Sequence, residues 1–288
     1  MSEVRHGEDR FRTGHAGPSC RHGTSGRWLA ANADLGRIDA ELLLGHVLDM
    51  GRATVIAYPE TVLTNGQEER LNRLANRRRE REPLAYILGR KEFYGLNFRV
   101  GEDVLVPRPE TELAVELALR LAPRGGRVVD LGTGSGCIAI ALKVHRPDLR
   151  VAATDASFAA LKVASANASA NAADIAFVQG DWLTCLGGPI DCIVANPPYV
   201  AADDPALAEL QSEPASALVA GLDGMGAVRR IVEQAPCRMA PSACLILEHG
   251  YCQAPAVRDC LTLAGFRKIE PHRDLAGLDR ATVAYMES

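Results

Sequence analysis

With 288 residues, 47% hydrophobic and 24% charged, the chain has the balance of an ordinary globular protein, long enough for one large domain or two smaller ones. A net charge of −4 argues against a long nucleic acid as the main partner, and neither an apolar run of transmembrane length nor an apolar stretch after Met1-Ser2-Glu3-Val4-Arg5-His6 is present. The default location is therefore cytoplasmic, and the eight cysteines, never spaced Cys-x-x-Cys, read as reduced thiols and not as a metal site or disulfide framework.

Residues 1–26, rich in Arg, His, Gly and Ser without periodic apolar positions, read as a flexible leader, with His6, His15, Cys20 and His22 too irregularly spaced for a metal site. From 27 to about 83 the periodicity is helical. Ala40, Leu42, Leu43, Leu44, Val47 and Leu48 make an apolar face ended by Gly51, Val55 to Tyr58 form a second segment before Pro59, and a third starts at the capping-box pattern Thr64-Asn65-Gly66-Gln67. These predict a small helical bundle. Its third helix carries Arg70, Arg73, Arg77, Arg78, Arg79 and Arg81 among Glu68, Glu69, Glu80 and Glu82, which reads as a solvated face, with a docking face for an RNA-associated partner as the alternative.

Residues 84–106, with Phe93, Tyr94, Phe98 and Val100 around Gly95 and Gly101, predict a hairpin or extended linker between domains. Val106-Pro107-Arg108-Pro109-Glu110-Thr111-Glu112 is a rigid turn opening a helix to about Leu121. After Pro123-Arg124-Gly125-Gly126, strands are expected at 127–131, 151–154, 175–178, 190–195, 243–248, 266–270 and 281–286, with helices at 137–144, 157–171, 225–238 and 254–264 between them. That alternation predicts an α/β, doubly wound, mostly parallel sheet.

The strand 190–195 stops abruptly at Asn196-Pro197-Pro198-Tyr199, at the sheet edge where open α/β folds place ligands. Proline has no N–H and disfavours helix in the residue before it, so Asn196 and Pro197 stay extended with carbonyls that no following helix consumes. Asn196 adds a side-chain acceptor and Tyr199 a flat ring. Two acceptors beside an aromatic face make a cradle for a planar –NH2 group and leave its lone pair directed at an electrophile. A bare Asn-Pro-Pro would also serve as an ordinary strand-ending turn; Tyr199 and the glycine motif upstream separate the two readings.

That motif, Asp130-Leu131-Gly132-Thr133-Gly134-Ser135-Gly136, lies on a strand-to-helix turn where glycines let backbone approach a ligand closely. Dinucleotide folds use Gly-x-Gly-x-x-Gly and a pyrophosphate. Here Asp130 puts negative charge beside the turn, which suits a cofactor with an ammonium and a sulfonium. Asp155 closes the next strand, placed to accept bonds from ribose hydroxyls, and Gly180-Asp181-Trp182 supplies polar and aromatic groups for an adenine. These point to S-adenosyl-L-methionine, with NAD a distant second.

These motifs, in this order, resemble class I S-adenosylmethionine-dependent methyltransferases acting on amino groups of planar systems. The wider set is similar to the HemK/PrmC family: Asp39-Ala40-Glu41-Leu42-Leu43-Leu44, Arg78-Arg79 with Arg81-Glu82-Pro83-Leu84-Ala85-Tyr86-Ile87, Glu92-Phe93-Tyr94-Gly95, the 106–112 turn and Glu248-His249-Gly250. The resemblance runs from about residue 28 to the C-terminus. It implies methyl transfer to the side-chain amide nitrogen of the glutamine in the Gly-Gly-Gln motif of class I peptide chain release factors. It also implies a helical domain (27–83) that helps recognise the release factor, ahead of a Rossmann-like, seven-stranded catalytic domain (107–288).

Carried over by position, Gly132, Thr133, Gly134, Ser135, Gly136, Asp155, Trp182 and Asn196 would contact the cofactor, joined by Asp130 and Asp181 from the reading above. Asn196, Pro197, Pro198 and Tyr199 would hold the glutamine, with Asn196, Pro197 and Tyr199 carrying the chemistry. No metal, direct nucleic-acid partner or membrane is expected, and the chain is expected to be a monomer. Two departures from the family stand out: the leader lacks the usual first amphipathic helix, and the loop 201–214 reads as slightly short. The rival readings are glutamine methylation of a large-subunit ribosomal protein, methylation of an adenine amino group, and a binding module without turnover.

Overall fold

Thr24 opens the first element: its Oγ1 accepts the Arg27 N–H at 3.4 Å and caps α1 (Ser25–Ala31) in the computed structural model, which describes residues 23–286. Of the expected leader, residues 1–22 lie outside the described residues, while Ser25 and Gly26 belong to this helix. The chain divides into two compact units, one ending at Arg79 and one beginning at Glu80.

In the first unit, α2 (Arg37–Leu48) ends earlier than Gly51 predicts, because Asp49 takes the left-handed position (φ 53°) and the Met50 N–H closes on the Gly45 carbonyl. After α3 (Arg52–Ala57), the capping box works as read: Gln67 Oε1 accepts the Thr64 N–H at 2.9 Å, the Gln67 N–H reaches Thr64 Oγ1 at 3.3 Å, and α4 (Asn65–Arg79) follows. Leu43, Leu44, Val55, Leu63 and Leu71 fill the interior. Arg78 pairs with Asp39 and Arg79 with Asp34, both at 2.7 Å, so these two members of the basic run tie α4 to the chain around α2. Glu41, covered on α2, holds Arg37 at 2.7 Å and Arg52 at 2.6 Å.

The second unit begins with α5 (Leu84–Leu88), which the sequence does not predict: five apolar-rich residues are too few for periodicity to separate helix from strand. The expected hairpin follows as β1 (Arg90–Phe93) and β2 (Leu96–Arg99), turned at Tyr94-Gly95, both with positive φ. It is no spacer, because Phe93 and Phe98 are buried with Ala114, Leu117 and Ala118 of α6 (Glu112–Leu121).

The remaining elements are β3 (Arg127–Leu131), α7 (Cys137–His145), β4 (Arg150–Asp155), α8 (Phe158–Ala170), β5 (Ala176–Gln179), β6 (Ile190–Ala195), α9 (Gly226–Gln234), β7 (Met239–Glu248), α10 (Ala254–Leu263), β8 (Phe266–Arg273) and β9 (Asp279–Met286). They build a seven-stranded sheet ordered β5-β4-β3-β6-β7-β9-β8, parallel except where β9 pairs with β7 and β8. This is the doubly wound α/β architecture expected. The period of 2 along each strand sorts side chains onto two layers: Val128, Cys192, Val194 and Ile246 pack with α6 and α7, while Val129, Leu131, Ile193 and Leu247 pack with α9 and α10. Among the described residues no helix is long and apolar enough to cross a membrane.

Candidate active site

The strand register gathers the predicted residues. Leu131 pairs with Thr154 on β4 and Ala195 on β6, Asp155 with Gln179 on β5, and Ala195 with Leu247 on β7. The residues one step beyond, Gly132, Gly180, Asn196 and Glu248, therefore stand with Asp155 along the carboxyl edge. The sheet order reverses between β3 and β6, and that switch point is where a doubly wound sheet opens a crevice. A cavity of about 480 Å³ lies there, lined by the glycine turn, Asp155, Trp182 and Asn196, with a roof in which Val104, Leu105, Pro107 and Arg108 meet it from one segment and Pro214, Ser216 and Ala217 from another.

Gly132, Gly134 and Gly136 all have positive φ (69°, 54° and 83°), the conformation glycine adopts without a Cβ penalty. Gly134 faces open space, and its N–H donates to Asp155 Oδ2 at 2.9 Å; Asp155 Oδ1 accepts the Ser157 N–H at 2.8 Å. Asn167 of α8 fixes the turn from behind, donating to the Ser135 carbonyl at 2.9 Å and exchanging bonds with both backbone groups of Arg99. Trp182, itself at positive φ, lies against Gly132, and Asp181 pairs with Arg230 at the cavity wall.

Asp130 is placed differently from the sequence expectation. Alternation along β3 turns its side chain towards α7, where Oδ2 accepts the Thr133 hydroxyl at 2.6 Å and the Ala139 N–H at 3.2 Å, and it does not line the cavity. Its Oδ1 is buried without a partner, and burial pushes the carboxyl up to about 7 against the pull of Thr133. Asp130 thus ties the turn to its helix instead of presenting a charge to a ligand.

At the end of β6, Asn196 Nδ2 donates to Thr111 Oγ1 at 3.0 Å. With its nitrogen used by Thr111, Asn196, which lines the cavity, has Oδ1 left as its acceptor. Pro198 lines it too, whereas Pro197 is buried and Tyr199 half-buried outside the wall. The Tyr199 carbonyl is held by Gln253 Nε2 at 3.0 Å, and Gly224 passes so close that a Cβ there would stand 2.3 Å from that carbonyl oxygen. Burial raises the Tyr199 phenol, with Glu248 adding to it.

Glu213 carries no sequence signal of its own, and the motif residues Tyr86 and Glu248 carry none for the places they take here. Glu213, from the loop after Tyr199, is buried, accepts the Val106 N–H at 3.0 Å and pairs with Arg108, joining the two halves of the roof. Tyr86 donates to the Val104 carbonyl at 2.5 Å beneath it. Glu248 is buried at the end of β7 with no hydrogen bond to either oxygen, and burial pushes it up to about 7, with Thr111 and Arg280 pulling the other way.

Residues 111–221 match the methyltransferase small domain, and residues 27–89 match the PrmC N-terminal domain. The release factor glutamine methyltransferase of Coxiella burnetii is 45% identical over 252 residues, covering 86% of this chain and 91% of that protein. The Bordetella pertussis enzyme of the same name is 43% identical over 267 residues, 90% of this chain and 98% of its own length. The chain belongs to the release factor glutamine methyltransferase family. A methyltransferase from Pyrococcus furiosus, 14% identical, superposes with a TM-score of 0.54 over 77% of this chain and 98% of that one, a likeness of fold alone. As a member of this family the chain is an enzyme.

Proposed function

We propose that the chain methylates the side-chain amide nitrogen of the glutamine in the Gly-Gly-Gln motif of class I peptide chain release factors, with S-adenosyl-L-methionine as donor. The observation that carries this is the hydrogen bond that uses Asn196 Nδ2 on Thr111 and leaves Oδ1 as the acceptor of a residue that lines the cavity. An acceptor there suits an incoming –NH2 and repels another acceptor.

The cavity fits the donor. Its glycine turn leaves open space above Gly134, Asp155 has an acceptor at the edge of β4, and Trp182 adds an aromatic face, all within about 480 Å³. When bound, S-adenosylmethionine supplies an electrophilic methyl group on a sulfonium. Asn196 Oδ1 and the Pro197 carbonyl hold the two amide hydrogens of the glutamine, and Tyr199 packs on the amide plane. An amide nitrogen is a poor nucleophile because its lone pair is delocalised into its carbonyl. Holding both hydrogens fixes the direction of that lone pair, and such orientation is worth up to about 7–11 kcal/mol in favourable systems. No general base needs to act first, since the amide proton becomes acidic only as the nitrogen gains charge. The helical unit of residues 27–83 contributes recognition of the protein substrate, a role that rests on its match to the PrmC N-terminal domain.

The test is transfer of labelled methyl from S-adenosylmethionine to purified release factor, run beside the same factor with its Gly-Gly-Gln glutamine replaced. Label on the intact factor alone supports the reading; label on neither, with cofactor binding shown by calorimetry, overturns it.

A further inference from the structure

The orientation of Asn196 depends on one hydroxyl. Thr111 Oγ1 accepts from Asn196 Nδ2 at 3.0 Å, and Thr111 is 2% exposed, so no bulk water is available to take its proton. A hydroxyl that accepts from one neighbour must send its single hydrogen to another. It can turn back to the Asn196 amide, which would need that amide reversed, or go to Glu248, which Thr111 faces. The pairing of Ala195 with Leu247 sets Glu248 beside Asn196 at the adjoining strand end, and its carboxyl, 1% exposed, has no other hydrogen-bond partner among the described residues. Buried carboxylates without donors are rare and costly, so this one calls for an explanation.

We propose that Glu248 and Thr111 act as positioning residues for Asn196: Glu248 accepts the Thr111 hydroxyl hydrogen, Thr111 can then only accept from Asn196 Nδ2, and Oδ1 is held towards the substrate amide. This inference rests on the reading of the substrate given above. It adds a state dependence. Once Glu248 is protonated it donates to Thr111, the Thr111 hydrogen turns to Asn196 Oδ1, and the amide reverses. Two N–H donors would then face the two N–H bonds of the glutamine.

The groups facing Glu248 are Glu110 and Thr111 from the turn before α6, Arg280 from β9, Tyr199 beyond β6 and Cys137 at the start of α7. Arg280 is shared with Asp274 at 3.4 Å, so it does not neutralise Glu248 alone. Burial places the carboxyl at about 7, within reach of physiological pH.

The experiment uses the full chain with release factor as substrate. Thr111→Val keeps the shape and removes the hydroxyl; it lowers kcat about 10–100-fold, less than loss of a preorganised group that touches the substrate, whereas Thr111→Ser stays within about threefold of wild type. Glu248→Leu gives a similar fall, and the double variant Thr111→Val with Glu248→Leu is no worse than the poorer single one, because residues in one relay do not add. Glu248→Gln keeps an acceptor but cannot titrate, so the acidic limb of the kcat profile near pH 7 flattens. Full activity in Thr111→Val, additive losses, or an unchanged acidic limb in Glu248→Gln overturns the relay. Thermal unfolding identifies a variant that fails to fold, and the others then decide.

Should wild type label no release factor, the substrate reading fails, and the relay is judged by nuclear magnetic resonance. The Asn196 side-chain amide resonances shift with pH through about 7 in wild type and stay fixed in Glu248→Gln. Resonances that ignore pH in wild type refute it.

Discussion

Gly134 and Gly136 share a left-handed backbone but differ in what surrounds them, so alanine at each separates strain from packing. At Gly134 nothing stands within 4 Å of an added Cβ, and the loss is the left-handed strain alone, about 1–2 kcal/mol. At Gly136 the new methyl would meet Ile140 Cδ1 at 2.9 Å, Ala164 Cβ at 3.1 Å and Ala164 Cα at 3.3 Å. Ile140 can rotate its terminal carbon, but Ala164 has nothing to move except α8 itself. Overpacking of that kind adds about 1–3 kcal/mol, for a total of about 2–5 kcal/mol. For a unit of this size each kcal/mol is worth about 2–4 °C, so Gly134→Ala lowers the unfolding temperature by about 2–8 °C and Gly136→Ala by about 4–20 °C. Calorimetric titration with S-adenosylmethionine should rank them the other way: the Gly134 methyl projects into the cavity and costs affinity, whereas Gly136 lies beneath the turn. Circular dichroism melts at one pH supply the first comparison. An unfolding temperature for Gly136→Ala no lower than for Gly134→Ala would refute the claim that α8 is seated directly on the glycine turn.

Asn196→Ala should lower kcat about 100-fold or more with little change in unfolding temperature, by analogy with removal of one preorganised polar group; near-normal turnover in the methyl-transfer assay would remove Asn196 from its role. Asp130 gives a pH prediction. Its carboxyl rises from 3.8 unfolded to about 7 folded, so the folded chain holds a proton that the unfolded chain has lost, and stability falls as pH rises through that window. The full effect is about 4 kcal/mol above pH 7 and vanishes below pH 3.8. Asp130→Asn should remove that part of the slope, leaving the part due to Glu248; chemical denaturation at pH 5 and 8 checks it, and an unaltered slope contradicts it. Glu213→Ala breaks the join between Arg108, Val106 and the loop after Tyr199, so limited proteolysis should cut the 201–214 segment faster than in wild type; equal rates would show that the roof is held by something else.

What the sequence reveals and what it hides divide along chain distance. β3, β4 and β6 are legible because each is a short apolar run bounded by Gly, Pro or Asp, and the abrupt end of β6 follows from two prolines alone. β7 begins at Met239, earlier than expected, since Pro241 and Ser242 (φ 65°) break the pattern without ending the strand. Asp130 shows the cost of reading a motif without its face: its place beside the glycines suggested a charge aimed at a ligand, but alternation along β3 sends it to α7. The supporting contacts are hidden for a different reason. Thr111 meets Asn196 across 85 residues, Asn167 meets Arg99 across 68 and Glu213 meets Val106 across 107. No local period or spacing encodes such pairs; they exist only once the sheet has aligned its strand ends.

Asp130, next to last on β3, and Glu248, last on β7, lie on either side of β6, and both point to the face packed by α6 and α7. A sheet chosen for stability alone would not bury two carboxyls there, since each unpartnered buried group costs about 1–3 kcal/mol. They are not equivalent. Asp130 has one oxygen engaged by Thr133 and Ala139, so its role is fulfilled within the turn, and only Oδ1 is left over. Glu248 has neither oxygen engaged, although Thr111 lies beside it and Thr111 is already committed as an acceptor to Asn196. The unmet demand of Glu248 and the unplaced hydrogen of Thr111 are therefore two halves of one bond. Its other consequence is felt at Asn196, the residue whose acceptor must face the substrate. Local rules of burial are broken where the strand ends converge, as expected where a sequence gives up stability for a site.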